Sequence, residues 1–282
     1  MVNIMSYKIV ADSCCEFPGK YKEDSRYERI PLGLEVEDEL IMDDENFDQA
    51  YFLSKVAASP KCPKSFCPSP EKFRDSYCTD AENVFVFTLS SKLSGSYNSA
   101  EVGKKLYQEK YGHKNIFVCD SESASCGETQ LAFKAAQWSE EGLPFAEICQ
   151  RLTDYRDRMN TYFVLDNLET LRKNGRLSRV KALVASTLSI KPVMGATKGE
   201  IIQLGQAIGI KKALAKMADI VAKEADDPEE KTLMITHCNC LQRAESVKEM
   251  VLSKIKVKDV LIMDTMGVSS MYANDGGVIV TL

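Results

Sequence analysis

The run Thr88-Leu89-Ser90-Ser91-Lys92-Leu93-Ser94-Gly95-Ser96 combines hydroxyls, a glycine and a helix start as an anion site requires. An apolar strand pattern leads into it and a helical pattern leaves it. The first backbone N–H groups of a helix have no partner within the helix, and the helix dipole places positive charge there. Ser94 adds a hydroxyl, and Gly95 lets a ligand come close to the main chain. The chemistry expected is capture of a phosphate or carboxylate, and hence of an acidic small molecule. Capping the helix is the competing role for Ser94, since serine is a preferred cap residue.

Covalent chemistry finds less support. Leu93-Ser94-Gly95-Ser96 is not the G-x-S-x-G elbow of a serine hydrolase. The chain has only two histidines. His113 follows a helix-ending glycine, and His237 lies at the end of an expected strand, where only the fold decides whether it reaches Ser94. The sequence contains neither G-x-x-x-x-G-K-[ST] nor G-x-G-x-x-G, so ATP or dinucleotide binding has no motif behind it. Cys62-x4-Cys67 and Cys238-Asn239-Cys240 lack zinc spacing, and no metal site is expected.

Three other segments offer polar groups. Lys64-Ser65-Phe66-Cys67-Pro68-Ser69-Pro70 reads as a proline-punctuated loop before a helix, with Ser65 presenting a hydroxyl. Asn174-Gly175-Arg176-Leu177-Ser178 sets an arginine between a glycine turn and a helix start, suited to solvent, a phosphate or a partner carboxylate. Tyr272-Ala273-Asn274-Asp275-Gly276-Gly277 reads as a tight turn before the last strand.

The elements that must position these residues alternate strand and helix. Strands are expected at 7–11, 84–89 and 115–119, with 29–34 as a fourth. Helices are expected at 46–58, 70–78, 95–111, 126–141 and 144–159. Asp12-Ser13, Ser90-Ser91 and Asp120-Ser121 place polar residues at strand carboxyl ends, the edge where open parallel sheets bind ligands. Later strands are expected at 162–165, 201–204, 232–236, 260–263 and 278–282, with helices at 177–188, 210–225 and 241–254. The expected fold class is α/β in two domains. Residues 1–159 form an N-terminal α/β/α unit around a parallel sheet, and residues 160–282 a C-terminal α/β unit with a mixed sheet.

Composition narrows the function further. The 282 residues are 44% hydrophobic and 27% charged, with a net charge of -5, a balance that disfavours nucleic acid as a partner. Without a signal-peptide pattern or a long apolar stretch, the protein is expected to be soluble and cytoplasmic, with no membrane insertion. Its ten cysteines are then expected to be reduced.

Taken in order, these segments resemble the DegV family of bacterial fatty-acid-binding proteins. The match runs from Lys8-Ile9-Val10-Ala11-Asp12-Ser13 through the Pro-Ser-Pro loop, the Ser-Ser-Lys-Leu-Ser-Gly element, 118–127, 168–178, Ile190-Lys191-Pro192-Val193 and the terminal glycine turn. The resemblance implies that a long-chain fatty acid such as palmitate or oleate lies between the two domains. It implies that the carboxylate is held by Ser65 and Ser94, with the Gly95 N–H as a further donor and Tyr272 beside them. It also implies delivery of the acid to a separate ATP-dependent kinase that makes an acyl phosphate for phospholipid synthesis, with Arg176 facing that kinase or the incoming phosphate. On this reading the chain is a carrier without a catalytic motif and without a cofactor.

The chain departs from the family pattern at four places. Ser65 stands where threonine is usual, Phe66-Cys67 replaces Ser-Gln, Asn174 replaces a common glycine, and Tyr272 occupies a position where many members carry histidine. A tyrosine can donate a hydrogen bond but does not become charged near neutral pH. Two rival readings follow. One is a dihydroxyacetone-kinase-like subunit or enzyme acting on a small polar substrate, for which only His237 could hold the substrate. The other is a scaffold with a vestigial pocket.

Overall fold

The structure is a computed structural model that describes residues 6–177, 180 and 189–282. The expected α/β class is what it shows. Strands β1 (Tyr7–Asp12), β2 (Tyr27–Ile30), β6 (Asn83–Thr88) and β7 (Asn115–Asp120) form a parallel sheet in the order β2-β1-β6-β7. Every residue of β6 is buried, because helices cover both faces of the sheet and leave no side for polar residues. Its alternation sorts the two cores. Val84 and Val86 pack with Phe73 of α3 (Pro70–Ser76) and Ala100 of α4 (Ser96–Tyr111). Phe85 and Phe87 pack with Leu131 of α5 (Cys126–Glu140) and Leu152 of α6 (Phe145–Arg158).

The segment 29–34, expected to be one strand, is divided between two sheets. Pro31, which has no N–H to give to a ladder, separates β2 from β3 (Gly33–Val36). β3 is the centre of a small antiparallel sheet, β4-β3-β5, with β4 (Glu39–Met42) and β5 (Lys64–Phe66). Ser65 therefore sits on an edge strand and not in a loop. That strand is only three residues long and lies between Pro63 and Pro68, which is why it reads as a loop in the sequence. The short α1 (Gly19–Lys22) follows β1. α2 (Gln49–Ala58) starts where the Asp48 side chain accepts the Tyr51 N–H at 2.9 Å.

The third sheet is mixed, ordered β10-β9-β8-β13-β11-β12. It comprises β8 (Thr161–Val164), β9 (Ile190–Thr197), β10 (Glu200–Ile208), β11 (Thr232–His237), β12 (Asp259–Asp264) and β13 (Val278–Thr281). Only β11 and β12 pair in parallel. α8 (Ile210–Glu224) and α9 (Leu241–Leu252) cover one face. The other face meets α5, where Cys126 packs against Met234 and Met263. β9 was not expected, because Pro192 and Gly195 hide its strand pattern, and 201–204 is only part of β10, which bulges between Gln203 and Gly205. The helix expected at 177–188 falls almost wholly outside the described residues.

The β9–β10 turn packs onto the first sheet through Gly199. Its φ is +78°, and a Cβ there would lie 2.4 Å from Ser90 Oγ. Ser90 Oγ instead donates to the Gly199 carbonyl at 2.9 Å. Two further short helices, α7 (Glu169–Lys173) and α10 (Gly267–Ala273), complete the fold. Tyr272 belongs to the end of α10, not to the turn that follows. No helix among the described residues is long and apolar enough to cross a membrane.

Candidate functional site

In the first sheet the chain leaves β1 toward β2 on one side, while β6 leads to β7 on the other. The carboxyl ends of β1 and β6 thus flank a crevice. Asp12, fully buried at the end of β1, ties the crevice together by accepting the Leu89 N–H at 2.9 Å and the Cys14 N–H at 3.1 Å. Burial raises its pKa, and these two donors oppose the rise. The hydroxyl-rich turn then folds on itself, with the Ser90 carbonyl accepting the N–H groups of Leu93 at 2.9 Å and Ser94 at 3.0 Å. Ser94 Oγ accepts the Ser96 N–H at 3.2 Å and lines the crevice, but the N-cap of α4 is Gly95 and no side chain caps the helix, so the capping role open to Ser94 in the sequence is not the one it takes.

Three distant segments meet Ser94 here. Ser65 is paired with Leu34 in the small sheet, and its Oγ lies 3.1 Å from the hydroxyl of Tyr272. Arg176 Nε donates to the Leu93 carbonyl at 3.1 Å, and its guanidinium carbon lies 5.9 Å from the centre of the Tyr272 ring. Asn174 Nδ2 donates to the Pro63 carbonyl at 3.0 Å and joins the Arg176 turn to the start of β5. Ser65, Ser94, Arg176 and Tyr272 all line one cavity. Gly95 is not among the lining residues, and a Cβ there would approach Cys67 Sγ at 3.1 Å.

About 820 Å³ of empty space lies within and in front of the cavity, open solvent included. Away from these four residues its wall is largely aliphatic and aromatic, with Leu89, Leu93, Phe163, Leu165, Ile201 and Ile279 among the lining residues. β8 shows why. Thr161, Phe163 and Leu165 alternate toward the cavity, while Tyr162 and Val164 enter the core beneath α8. Sequence reasoning missed these wall residues, and also Cys14, Ser123, Ser125 and Ser269. Cys14, Ser123 and Ser125 follow the polar strand ends Asp12-Ser13 and Asp120-Ser121, the signal that pointed to this edge.

His237 is elsewhere. It lines a separate groove with Asn239, Cys240 and Arg243, its Nδ1 3.4 Å from Asp264 Oδ1. Burial lowers its pKa and the Asp264 charge opposes that shift. A Ser94–His237 pair is therefore not formed. No group of histidine, cysteine and carboxylate side chains suited to a metal occurs among the described residues.

A buried carboxyl braces the floor. Glu16 Oε2 accepts from Ser125 Oγ at 2.8 Å and Oε1 from the Met266 N–H at 3.4 Å, joining β1, α5 and the segment before α10. Burial pushes Glu16 up to about 7. A carboxyl raised in the folded state adds stability that is complete below its unfolded pKa and is lost as pH rises through 7. Glu16→Gln should remove that part of the slope, on the order of 2–3 kcal/mol between pH 5 and 8.5. Urea unfolding midpoints across that range check it; a slope equal to that of the unmodified protein would refute the assignment.

Comparison with known proteins gives the family and fold. Residues 6–281 match the family described as "Uncharacterised protein, DegV family". This chain belongs to the DegV family. A DegV domain-containing protein of Streptococcus gordonii is 34% identical over 279 residues, which are 98% of each chain. A DegV family crystal structure from Ruminococcus gnavus, refined with vaccenic acid, is 49% identical with a TM-score of 0.96 and covers 99% of both chains. The fatty acid kinase B3 protein of Streptococcus pneumoniae, crystallised with linoleic acid, is 28% identical with a TM-score of 0.86, covering 98% of this chain and 99% of its own. Fatty acids are thus the ligands in solved DegV structures similar to this one.

Proposed function

We propose that this DegV protein binds a long-chain fatty acid in the cavity and presents its carboxylate to a separate ATP-dependent kinase that forms the acyl phosphate. The observation that carries the reading is the convergence of Ser65, Ser94, Tyr272 and Arg176 on a cavity whose remaining wall is mainly apolar. Ser65, Ser94 and Tyr272 supply hydroxyl donors, and a carboxylate leaving water needs such donors to offset its desolvation. Arg176, held by carbonyls on its Nε and Nη1, keeps part of its guanidinium for a phosphate or a partner's carboxylate.

Tail burial supplies most of the affinity. Roughly 15 methylenes at about 0.8 kcal/mol each give on the order of 12 kcal/mol before the costs of association. Residues 1–159 and 160–282 act as the two domains that enclose the chain. The protein works in the cytoplasm as a carrier, with no catalytic machinery or cofactor of its own. A small polar substrate would leave the apolar wall unused, and His237, which that reading requires, lines a different groove.

Native mass spectrometry of the purified protein, followed by organic extraction, tests the proposal. A stoichiometric long-chain fatty acid is the expected result. Protein that arrives empty and takes up neither palmitate nor oleate would overturn it.

A further inference from the structure

Ser123 and Thr161 are 4% and 7% exposed, and both line the cavity. Their hydroxyl oxygens are 2.6 Å apart. The pair has two hydrogens, and one of them spans it. If Ser123 donates, the Thr161 hydrogen has no protein acceptor among the described residues. If Thr161 donates, the Ser123 hydrogen has only the Ala124 carbonyl, 3.5 Å away. Either way one buried donor is left poorly satisfied at the wall of a mainly apolar cavity, an arrangement proteins rarely keep without a partner.

The backbone fixes this donor in place. The Ser123 N–H is held by Ser121 Oγ at 3.1 Å, and the same hydroxyl donates to the Ser123 carbonyl at 3.1 Å. A Cβ on Gly127 would lie 2.0 Å from Ser123 Oγ, so the neighbouring helix makes room for the hydroxyl. Nor does the strand need a hydroxyl at 161. Valine has the shape of threonine and suits a β-strand beside Phe163 at least as well.

We infer that the cavity takes a fatty acid carrying an oxygen within its chain, a hydroxy or oxo group, which accepts the spare hydrogen of the Ser123–Thr161 pair. The inference rests on the fatty-acid reading above and adds a substrate class to it. A dry apolar wall penalises a buried hydroxyl by about tenfold or more, and a matched donor removes the penalty only where it meets the oxygen.

The test is competition on delipidated full-length protein between stearate and a series of hydroxystearates with the hydroxyl moved along the chain. One isomer should bind within about threefold of stearate, and the double variant Ser123→Ala/Thr161→Val, which removes both hydroxyls and so the spare hydrogen, should weaken that isomer about tenfold relative to stearate measured on the same variant. If every isomer is rejected by the same factor in both proteins, the pair serves only the fold or a bound water and the inference fails. Should the double variant misfold, as its melting temperature would show, the isomer series on the unmodified protein still decides, because equal rejection of every isomer there refutes the inference. Failure of the unmodified protein to bind stearate would instead sink the fatty-acid reading and this inference with it.

Discussion

Replacing Ser94 by alanine is expected to weaken palmitate binding by about 10- to 150-fold, the equivalent of one hydrogen bond to a charged group, roughly 1.5–3 kcal/mol. The loss is large because Ser94 and Ser65 come from different elements yet face the same cavity, and on the fatty-acid reading the carboxylate sits between them. Removing one hydroxyl leaves charge that water no longer solvates. Affinity for hexadecanol, which has the tail without the charge, should change by less than about threefold. Titration calorimetry on delipidated protein with both ligands separates the outcomes. Equal losses for acid and alcohol would mean that Ser94 shapes the fold and does not hold the head group, as would a fall in melting temperature beyond the small effect of losing its bond to the Ser96 N–H.

Asp43→Ala is expected to cost about 3–5 kcal/mol of stability, a drop of roughly 10 °C in melting temperature. Asp43 is fully buried, and its carboxylate accepts the N–H groups of Gly267 at 2.7 Å and Val268 at 2.8 Å together with Ser13 Oγ at 2.8 Å. Burial raises its pKa, with the Arg29 guanidinium 3.9 Å away opposing the rise. Without the carboxylate, three buried donors lose their partner at once and the largely buried Arg29 loses its countercharge, keeping its bond to the Asp43 carbonyl at 3.1 Å. The same bonds seat the start of α10, which carries Ser269 and Tyr272 into the cavity, so ligand affinity should fall with stability. Asp44→Ala is the control, because among the described residues the Asp44 side chain accepts a hydrogen bond from the Asn46 N–H alone, at an exposed turn, and about 1 kcal/mol or less is expected there. Thermal unfolding of the two variants decides. Similar losses would show that the bonds to α10 contribute little.

Much of this architecture was legible in the sequence, for reasons that are local. A parallel strand covered on both faces is apolar along its middle, so the apolar run 84–87 within the expected strand 84–89 could be recognised without knowledge of its neighbours. The hydroxyl-rich turn before α4 was legible because a helix start needs capping groups and an anion needs the same ones. The polar strand ends Asp12-Ser13 and Asp120-Ser121 marked the edge of the sheet that borders the cavity. Ser65, Ser94, Arg176 and Tyr272 were singled out one by one, in part through the resemblance to the DegV family.

What the sequence left open depends on contacts between segments far apart in the chain. A three-residue edge strand between prolines, such as β5, has no period long enough to recognise. β9 is a strand because β8 and β10 pair with it, despite Pro192 and Gly195. The sequence by itself determined the α/β class, the sheet edge that borders the cavity and the hydroxyls it offers to an anion, since each follows from backbone hydrogen bonding and side-chain period within a single element. Only the tertiary structure decided that Ser65 meets Tyr272, that His237 faces another groove, and that Phe163, Ile201 and the Ser123–Thr161 pair share one cavity wall. Those are distances across elements, set by how the sheets pack against α5 and α10, and no local pattern contains them.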